Sequence, residues 1–282
     1  HEGRIEGVGP SRLAQRIGGR LHDLGYAIDL EHPQHRFGVV IDASSNTIAC
    51  GWMLGFGDES DGVSSRKAAE RPFFQPVSLD PRLARLAVNL ASGPVGNRAT
   101  IDVMTGTGGF LIEAALSNRI AVGLDLDPVM VEGTIRNLEW ALNAEGRTEH
   151  RAMVLAGDAT KLTDALTGLD APVSGFVLDP PYGRNSQGSL EPMALLKNVL
   201  DSAHEVAVDG AGLVLILPIH PMGEHPDEPI PSGADVNLLH GDWQGIEHSL
   251  RSAHWSVQSR WVEHVHASLS RLILHATVAP QD

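Results

Sequence analysis

The sequence contains very little cysteine and no long apolar run, and each shortage excludes a class of protein. Its 282 residues include a single cysteine, Cys50, so neither an internal disulfide nor a cysteine-rich zinc site is available. We expect Cys50 to be a buried, inert thiol. The 14 histidines show no spacing typical of metal ligands. No apolar stretch approaches the roughly 20 residues that span a bilayer, and no signal-peptide pattern opens the chain. We therefore expect a cytoplasmic protein with neither a metal nor a membrane contact.

Lysine is scarce as well, because only 3 of the 21 basic residues are lysine, against 35 acidic residues. The formal net charge of -14 argues against a general affinity for phosphate, which depends on Lys and Arg. Two interpretations stay open. The chain is an acidic enzyme with a small-molecule or protein substrate, or it is a halophilic protein adapted to a saline cytoplasm. The low lysine count favours the second, and the one basic stretch, residues 66–85, is then the candidate contact for a polyanion.

Composition divides the chain into three segments. Residues 11–25 carry leucine and isoleucine at helical spacing, and two extended segments follow at 37–42 and 47–54. Residues 55–65 are rich in Gly, Ser and Asp and read as a linker. Because the chain starts at His1 in mid-pattern, we expect that it is a fragment without its upstream domain. The predicted segments are a partial α+β module over 1–62, a linker and cofactor-closing segment over 63–97, and a catalytic domain over 98–282.

From residue 98 onward, apolar strands alternate with helices. This alternation predicts a doubly wound α/β sheet that is mostly parallel, and two late extended segments predict an antiparallel closing pair. In such sheets, ligands bind beyond the carboxyl ends of the strands. The predicted strands cover residues 99–104, 120–126, 152–156, 175–178 and 212–217, followed by 257–266 and 271–278.

A glycine-rich loop follows the first of these strands, in the sequence Asp102-Val-Met-Thr-Gly-Thr-Gly-Gly-Phe110. Its glycines let the backbone turn tightly and approach a ligand, and the next helix presents its positive end. Asp125 ends the second strand, 23 residues beyond Asp102, where a carboxylate accepts hydrogen bonds from ribose hydroxyls. These features indicate an adenosine cofactor. NAD enzymes use the same device, and a glycine loop alone is sometimes a plain turn.

Further cofactor candidates lie near these strand ends. Asp158, at the end of the third strand, suits the adenine amino group, whereas Asp127 before Pro128 is better explained as a helix N-cap. Upstream, Arg71-Pro-Phe-Phe-Gln-Pro76 is positioned to close over the methionine end of a cofactor. An aromatic packing latch is an equally good interpretation of Phe73. The candidate cofactor residues are Phe74, Asp102, Thr105, Gly106, Gly108, Asp125, Leu126, Asp158 and Ala159.

The sequence Asp179-Pro-Pro-Tyr-Gly-Arg184 follows the fourth predicted strand and is the most specific motif. Its prolines stiffen the turn and remove two backbone donors, which leaves the Pro180 carbonyl and the Asp179 carboxylate as paired acceptors. Two acceptors suit an amino group that carries two hydrogens, and Tyr182 suits stacking on a base taken out of its helix. Hydrogen bonding to both N–H groups directs the amine lone pair and stabilises its developing positive charge. The motif therefore predicts methylation of an exocyclic amine, with Asp179, Pro180 and Tyr182 at the reacting group.

Together these motifs resemble those of the archaeal tRNA (guanine-N2) methyltransferases that modify guanosine 10 and carry an N-terminal THUMP domain. The resemblance implies a Rossmann-like class I methyltransferase fold, with a seven-stranded sheet and an antiparallel closing hairpin. It also implies S-adenosylmethionine as the cofactor, tRNA as the partner and a THUMP-like character for residues 1–62. The matching segments are 71–85, 102–110, 123–128, 179–184 and Val265-His-Ala-Ser-Leu-Ser-Arg271.

The resemblance also implies roles for single residues. Asp179 is then the catalytic carboxylate, and Tyr182 meets the base. Asp102, Gly106, Asp125 and Asp158 are then the residues that hold the cofactor. We further expect Arg66, Arg71 and Arg184 to lie nearest the tRNA phosphates, in a monomeric enzyme.

Several competitors share part of the pattern. A DNA N6-adenine or N4-cytosine methyltransferase also uses Asp-Pro-Pro-Tyr, but the THUMP-like start and the segment 266–271 argue against it. A protein-glutamine methyltransferase favours Asn where this chain has Asp179. A non-catalytic RNA-binding module would not need the complete cofactor set. The choice between one and two methyl groups stays open.

Overall fold

The computed structural model describes residues 10–30, 33–42, 47–53, 65–75, 79–180, 192–222, 230–231 and 234–279. The chain separates into two compact units, His1–Gly62 and Val63–Asp282. In the described part of the chain, no helix is long and apolar enough to cross a membrane.

The first unit contains one helix and a two-stranded sheet. Helix α1 (Pro10–Asp23) has no buried residue among those described, and strands β1 (Arg36–Asp42) and β2 (Thr47–Met53) pair antiparallel. The ring of Trp52 lies 5.2 Å from the ring of Phe37, and both side chains are exposed. Cys50, on β2, is also exposed. The expectation of a buried thiol is therefore wrong, because this small sheet offers little depth in which to bury it.

The second unit is built on a seven-stranded sheet with the order β5-β4-β3-β6-β7-β9-β8. The first five strands in this order are parallel, and β9 and β8 complete the sheet as antiparallel strands. This topology confirms the predicted Rossmann-like sheet with its closing hairpin. The strands are β3 (Ala99–Asp102), β4 (Ile120–Asp125), β5 (Ala152–Ala156), β6 (Val173–Leu178), β7 (Ala207–Ile219), β8 (Trp255–His266) and β9 (Leu269–Val278).

Helices cover both faces of this sheet. They begin where the sequence places Asp and Pro: the Asp80 carboxylate accepts from the Arg82 N–H at 2.8 Å, and Asp127 accepts from Val129 at 2.8 Å. The predicted N-cap role of Asp127 is confirmed. The helices are α2 (Pro81–Ser92), α3 (Gly109–Leu116), α4 (Pro128–Ala144), α5 (Leu162–Ala165), α6 (Pro192–Val206) and α7 (Trp243–Ser252).

Packing fixes where the strand ends lie. One apolar layer joins α2, α3 and α4 to one face of the sheet, and the other face packs on α6 and α7. Gly175 lets the end of α2 lie directly on β6, because a Cβ there would come within 2.5 Å of the Ser92 Oγ. Since α2 ends over the first residues of β6, it begins near the carboxyl ends of the strands. The fold thus gathers the ends of β3, β4, β5 and β6 along one edge.

Candidate active site

The glycine-rich loop connects β3 to α3. Gly106 and Gly108 have φ values of 52° and 82°, in the left-handed region that favours glycine. A Cβ on Gly108 would also come within 2.9 Å of Thr134 on α4, and the Thr134 hydroxyl donates to the Gly106 carbonyl at 2.7 Å. The loop is therefore held in a tight turn, and because its glycines carry no side chain, a ligand can approach its backbone.

Asp125 lies at the end of β4, directly beside this loop. Its carboxylate accepts from the Gly106 N–H at 2.9 Å and from the Asp127 N–H at 3.0 Å. The side chain is partly exposed, and the neighbouring Leu126 is 66% exposed. The structure thus brings Gly106, Asp125 and Leu126 together, with a carboxylate fixed before any ligand arrives.

Asp158 lies one strand further, at the end of β5. Its Oδ1 accepts from the Thr160 N–H at 2.9 Å and from the Thr160 hydroxyl at 2.7 Å, which starts a short 3-10 helix. Ala159, the first residue of that helix, is buried. The capping role of Asp158 accounts for its position, and its role toward a cofactor stays a prediction.

Asp102, at the end of β3, has a different environment. Its side chain is 2% exposed, and the Thr105 hydroxyl donates to its Oδ2 at 2.8 Å. No hydrogen-bond donor among the described residues reaches its Oδ1. Burial raises the pKa of Asp102 to about 7, against the opposing effects of the Thr105 hydroxyl and the Leu111 backbone N–H, and the charges of Asp125 and Asp179 add slightly to the rise. A buried acceptor with a free oxygen suits a positively charged group of a ligand.

Asp179 follows β6 immediately, on the strand next to β3. Asp102 pairs with Val177 in the sheet, so the two carboxylates stand at the same edge. Burial raises the pKa of Asp179 to about 6, and the charge of Arg271 opposes this rise. Pro180 is buried. Two predicted residues of this motif, Tyr182 and Arg184, lie outside the described residues.

The upstream segment 65–75 is fixed to the glycine loop through α4. The Asn137 side chain accepts from the Phe73 N–H at 2.9 Å and donates to the Phe73 carbonyl at 2.8 Å and the Thr107 carbonyl at 2.9 Å. A Cβ on Gly133 would overlap the ring of Phe73. These contacts support the packing-latch interpretation of Phe73. Phe74 is 51% exposed, so its side chain is available to a ligand.

Arg66 and Arg71 do not face solvent, contrary to the expectation that they lie nearest the tRNA phosphates. They are 7% and 5% exposed. Arg66 forms ion pairs with Glu113 at 2.8 Å and Glu145 at 3.2 Å, and Arg71 donates to the Arg66 carbonyl and to Thr107. Exchanging such buried contacts for phosphate would leave Glu113, which is 1% exposed, with only the partly exposed Arg85 as its partner. The expectation is therefore wrong for both residues.

Three supporting residues went unrecognised in the sequence: Thr134, Asn137 and Glu113. Asn137 and Thr134 are fully buried on α4, three residues apart, which places two polar groups on the apolar face of a helix. Polar residues on the apolar face of a helix are unusual, and this was the feature of the sequence from which a supporting role could have been predicted. Glu113 gave none, because its partners Arg66 and Arg85 come from distant parts of the chain. In the described residues no cluster of ligands suits a metal ion.

The residues present fit the methyl donor that these motifs imply. The positive-φ glycines leave open backbone, Asp125 offers acceptors for hydroxyl groups, and the free Oδ1 of Asp102 suits a cation. Fold and site together define a Rossmann-like methyltransferase that uses S-adenosylmethionine. Residues 68–224 match the family described as UPF0020, RMKL-like, methyltransferase domain, and the chain belongs to that family.

Curated relatives carry a more specific name. Over 199 residues, the chain is 35% identical to the tRNA (guanine(10)-N2)-dimethyltransferase of Pyrococcus abyssi, covering 69% of this chain and 54% of the relative. Over 211 residues, it is 35% identical to the protein of that name from Methanothermobacter thermautotrophicus, covering 74% and 58%. The chain therefore spans little more than half the length of these relatives. Among solved structures, TrmN from Thermus thermophilus matches with a TM-score of 0.48 and 18% identity, over 97% of this chain and 69% of that one.

Proposed function

We propose that this chain transfers a methyl group from S-adenosylmethionine to the exocyclic N2 of a guanine in tRNA. The observation that carries the proposal is Asp179, a shielded carboxylate followed by Pro180 at the carboxyl end of β6. It stands at the same edge as Asp102 and the glycine loop. An acceptor amine bound at Asp179 thus lies beside the residues suited to hold the methyl donor.

The chain's own residues divide the work along this edge. Asp125 would accept hydrogen bonds from the ribose hydroxyls of the cofactor, and Asp158 would accept a hydrogen bond from its adenine amino group. Asp102 would stabilise the positive charge of its methionine part. When bound, the cofactor supplies an electrophilic methyl group on a sulfonium sulfur. Phe74 covers the methionine end of the cofactor.

Asp179 and Pro180 act on the acceptor. Their carboxylate and carbonyl oxygens accept the two N–H groups, which directs the nitrogen lone pair toward the methyl carbon. Positive charge would develop on the nitrogen as it takes up the methyl group that the cofactor supplies, and Asp179 would stabilise that charge. A carboxylate with a pKa of about 6 also accepts the proton that the methylated nitrogen then loses.

The choice of guanine in tRNA rests on the relatives, which are named tRNA (guanine(10)-N2)-dimethyltransferase. By that likeness we propose guanosine 10 as the position and a THUMP-like, RNA-binding role for residues 1–62. Tyr182 is proposed to stack on the target base and Arg184 to contact a phosphate. The proposal covers the transfer of either one or two methyl groups to N2.

Methyl transfer with labelled S-adenosylmethionine tests the proposal directly. The chain is incubated in separate reactions with unmodified tRNA transcript, with DNA and with protein extract, and the products are digested to nucleosides or amino acids for mass spectrometry. We expect N2-methylguanosine or N2,N2-dimethylguanosine from tRNA, and the label lost when guanosine 10 is replaced by adenosine. Label in DNA adenine or cytosine, or in glutamine, with none in tRNA would overturn the proposal. The chain spans only part of the length of its relatives, so its affinity for tRNA is expected to be lower than theirs. The reactions with tRNA are therefore also run at saturating tRNA.

A further inference from the structure

Arg271 belongs to the late motif 265–271, which the proposed function does not yet use. On β9 it pairs with Pro218 of β7, and β7 pairs with β6 so that Leu178 lies opposite Leu215. Continuing this register places Asp179 level with Ile216, two residues before Pro218. Arg271 is therefore on the ligand side of Asp179, at the same edge of the sheet.

The strand spacing sets the separation between the two residues. Neighbouring strands lie about 4.8 Å apart, so β9 is roughly 10 Å from β6. The side chains of Arg271 and Asp179 can incline toward each other and shorten this distance. Side chains alternate along a strand, and Ile216, Pro218, Ile273 and Arg271 therefore share one face. This is the face on which Asp102 and Val177 also lie.

A second residue holds the guanidinium of Arg271. Glu263, opposite it on β8, pairs with its Nη1 at 3.0 Å, and the two side chains are 19% and 31% exposed. Among the described residues, Arg271 forms its ion pair with Glu263, which anchors it near Asp179. The charge of Arg271 also acts on Asp179, and it lowers the pKa of Asp179.

The charges around Asp179 oppose one another. Burial raises its pKa, and Arg271 lowers it. Other titratable or charged groups at this edge, within the described residues, include Asp102 on β3, Asp125 on β4, Asp158 after β5, Asp80 and Arg82 at the start of α2, Glu263, His264 and His266 on β8, and His220 after β7. Asp102, with a pKa of about 7, is mostly uncharged at the pH where Asp179 titrates, so burial is the influence that favours protonation of Asp179 and Arg271 is the charge that opposes it. A protonated Asp179 would offer the amine one acceptor oxygen fewer.

We propose that Arg271, anchored by Glu263, is a positioning residue that keeps the Asp179 carboxylate charged and free to accept the N–H groups of the acceptor amine. The role of the amine rests on the proposed function, and the pH profile of methyl transfer tests it. The electrostatic effect of Arg271 on Asp179 is independent of the proposed function, and an NMR titration without substrate tests it.

The first measurement is the pH profile of single-turnover methyl transfer between pH 5.5 and 9. For Arg271→Met we expect the acid limb to move upward by roughly half a unit to one unit. Activity then falls about two- to fivefold at pH 6 and approaches that of the wild type at pH 8.5. Arg271→Lys keeps the charge and should restore most of the shift. A loss that is equal at all pH values would overturn the proposal, because it would indicate a structural role alone.

Two control variants have matched chemistry. Arg251→Met removes an exposed arginine that pairs with Glu247 on α7, and the acid limb should stay in place. Glu263→Gln keeps an acceptor oxygen that holds the Arg271 guanidinium in place but removes a negative charge next to it, so the limb should stay or move to lower pH. An upward shift in Glu263→Gln as large as that of Arg271→Met would contradict the proposal, because the ion pair and not the positive charge would then be what counts.

The second measurement needs no substrate. Carbon-13 NMR of labelled aspartate carboxyl groups follows the titration of Asp179, which is assigned by its loss in Asp179→Asn. We expect its midpoint to rise in Arg271→Met and to return in Arg271→Lys. An unchanged midpoint overturns the proposal even if tRNA is methylated. A raised midpoint in a protein that methylates no tRNA supports the link and refutes only the proposed function.

Discussion

Two parts of the same sheet edge treat carboxylates differently. At what we call the adenosine edge, Asp125 ends β4 and Asp158 follows β5. Asp125 accepts from the Gly106 N–H of the glycine-rich loop and from the Asp127 N–H, and Asp158 accepts from the Thr160 N–H. At the reaction edge, Asp102 and Asp179 end β3 and β6, and burial raises the pKa of both. The first pair is fixed in place before a ligand arrives. In the second pair Asp102 is buried and Asp179 is half-buried, and this loss of water favours the neutral form of both carboxyl groups.

The difference follows from what each edge must meet. Ribose and adenine present neutral hydroxyl and amino groups, for which a fixed acceptor is enough. A sulfonium centre and an amine that becomes positive during transfer gain far more from a carboxylate in a shielded site, because electrostatic interactions are stronger there.

Replacing Asp179 should have the largest effect, and it should fall on the reaction alone. In Asp179→Asn the side chain keeps its size but loses its charge, so the amine loses its main stabilising acceptor. We expect methyl transfer to fall by about 100-fold or more. The affinity for S-adenosylmethionine, measured by calorimetry, should stay nearly the same. Turnover at the wild-type rate would remove Asp179 from the reaction.

Replacing Asp125 should have the next largest effect, and it should fall on binding. Asp125→Ala removes the acceptor for the ribose hydroxyls and also frees the Gly106 N–H. We expect the affinity for S-adenosylmethionine to fall about tenfold or more, a loss of at least about 1.4 kcal/mol. At saturating cofactor the transfer step should recover. If saturating cofactor leaves transfer as low as in Asp179→Asn, the division into two edges fails.

Asp102→Asn should change how stability depends on pH. The folded-state pKa of about 7 lies above the ordinary value of 3.8, so ionisation of Asp102 costs the folded state free energy. Its contribution to stability is fully present below pH 4 and is lost as the pH rises through 7. Relative to the wild type, Asp102→Asn should therefore melt higher at pH 8 and nearly equally at pH 4. Thermal unfolding followed by circular dichroism measures this, and a constant difference across that range would contradict the assignment.

The smallest effect is expected for Asp158→Asn. Asn keeps an acceptor oxygen for Thr160, so the turn should survive, and only the charge-assisted bond to the adenine amino group is weakened. We expect a loss of a few-fold in cofactor affinity, on the order of 1 kcal/mol. Asp164→Asn, an exposed position on α5, is the matched control and should bind as the wild type does. Equal affinities for both variants would exclude Asp158 from the cofactor site.

Much of this architecture could be predicted because its signals are local. Apolar runs predicted the strands, and Asp-Pro pairs predicted helix starts such as that of α4. The largest error concerns β7, which begins at Ala207, five residues before the predicted start. The stretch Val208-Asp-Gly210 looks like a turn, and Gly210 has a φ of 70°, yet the chain continues in the sheet with a register shift between Val173 and Gly175.

The arginines show why the rest could not be predicted. Arg66 and Arg71 form a basic stretch in the sequence, but the partners of Arg66, Glu113 and Glu145, lie 47 and 79 residues away. Nothing in the local pattern connects them. The same holds for Arg271, whose place beside Asp179 depends on the order of strands across the sheet. Motif positions were predictable from the sequence, whereas the pairing of charges required the fold.

Calorimetry of S-adenosylmethionine binding in two buffers of different ionisation enthalpy tests the central comparison most directly. If the reaction edge holds carboxylates that are partly protonated at neutral pH, a cationic ligand should release protons as it binds at pH 6.5. We expect a net release that decreases in Asp102→Asn, whereas Asp179→Asn, which leaves the affinity for S-adenosylmethionine nearly unchanged, should alter it little. Binding of the wild type with equal heat in both buffers would mean that no proton is released, and it would contradict the distinction between the two edges.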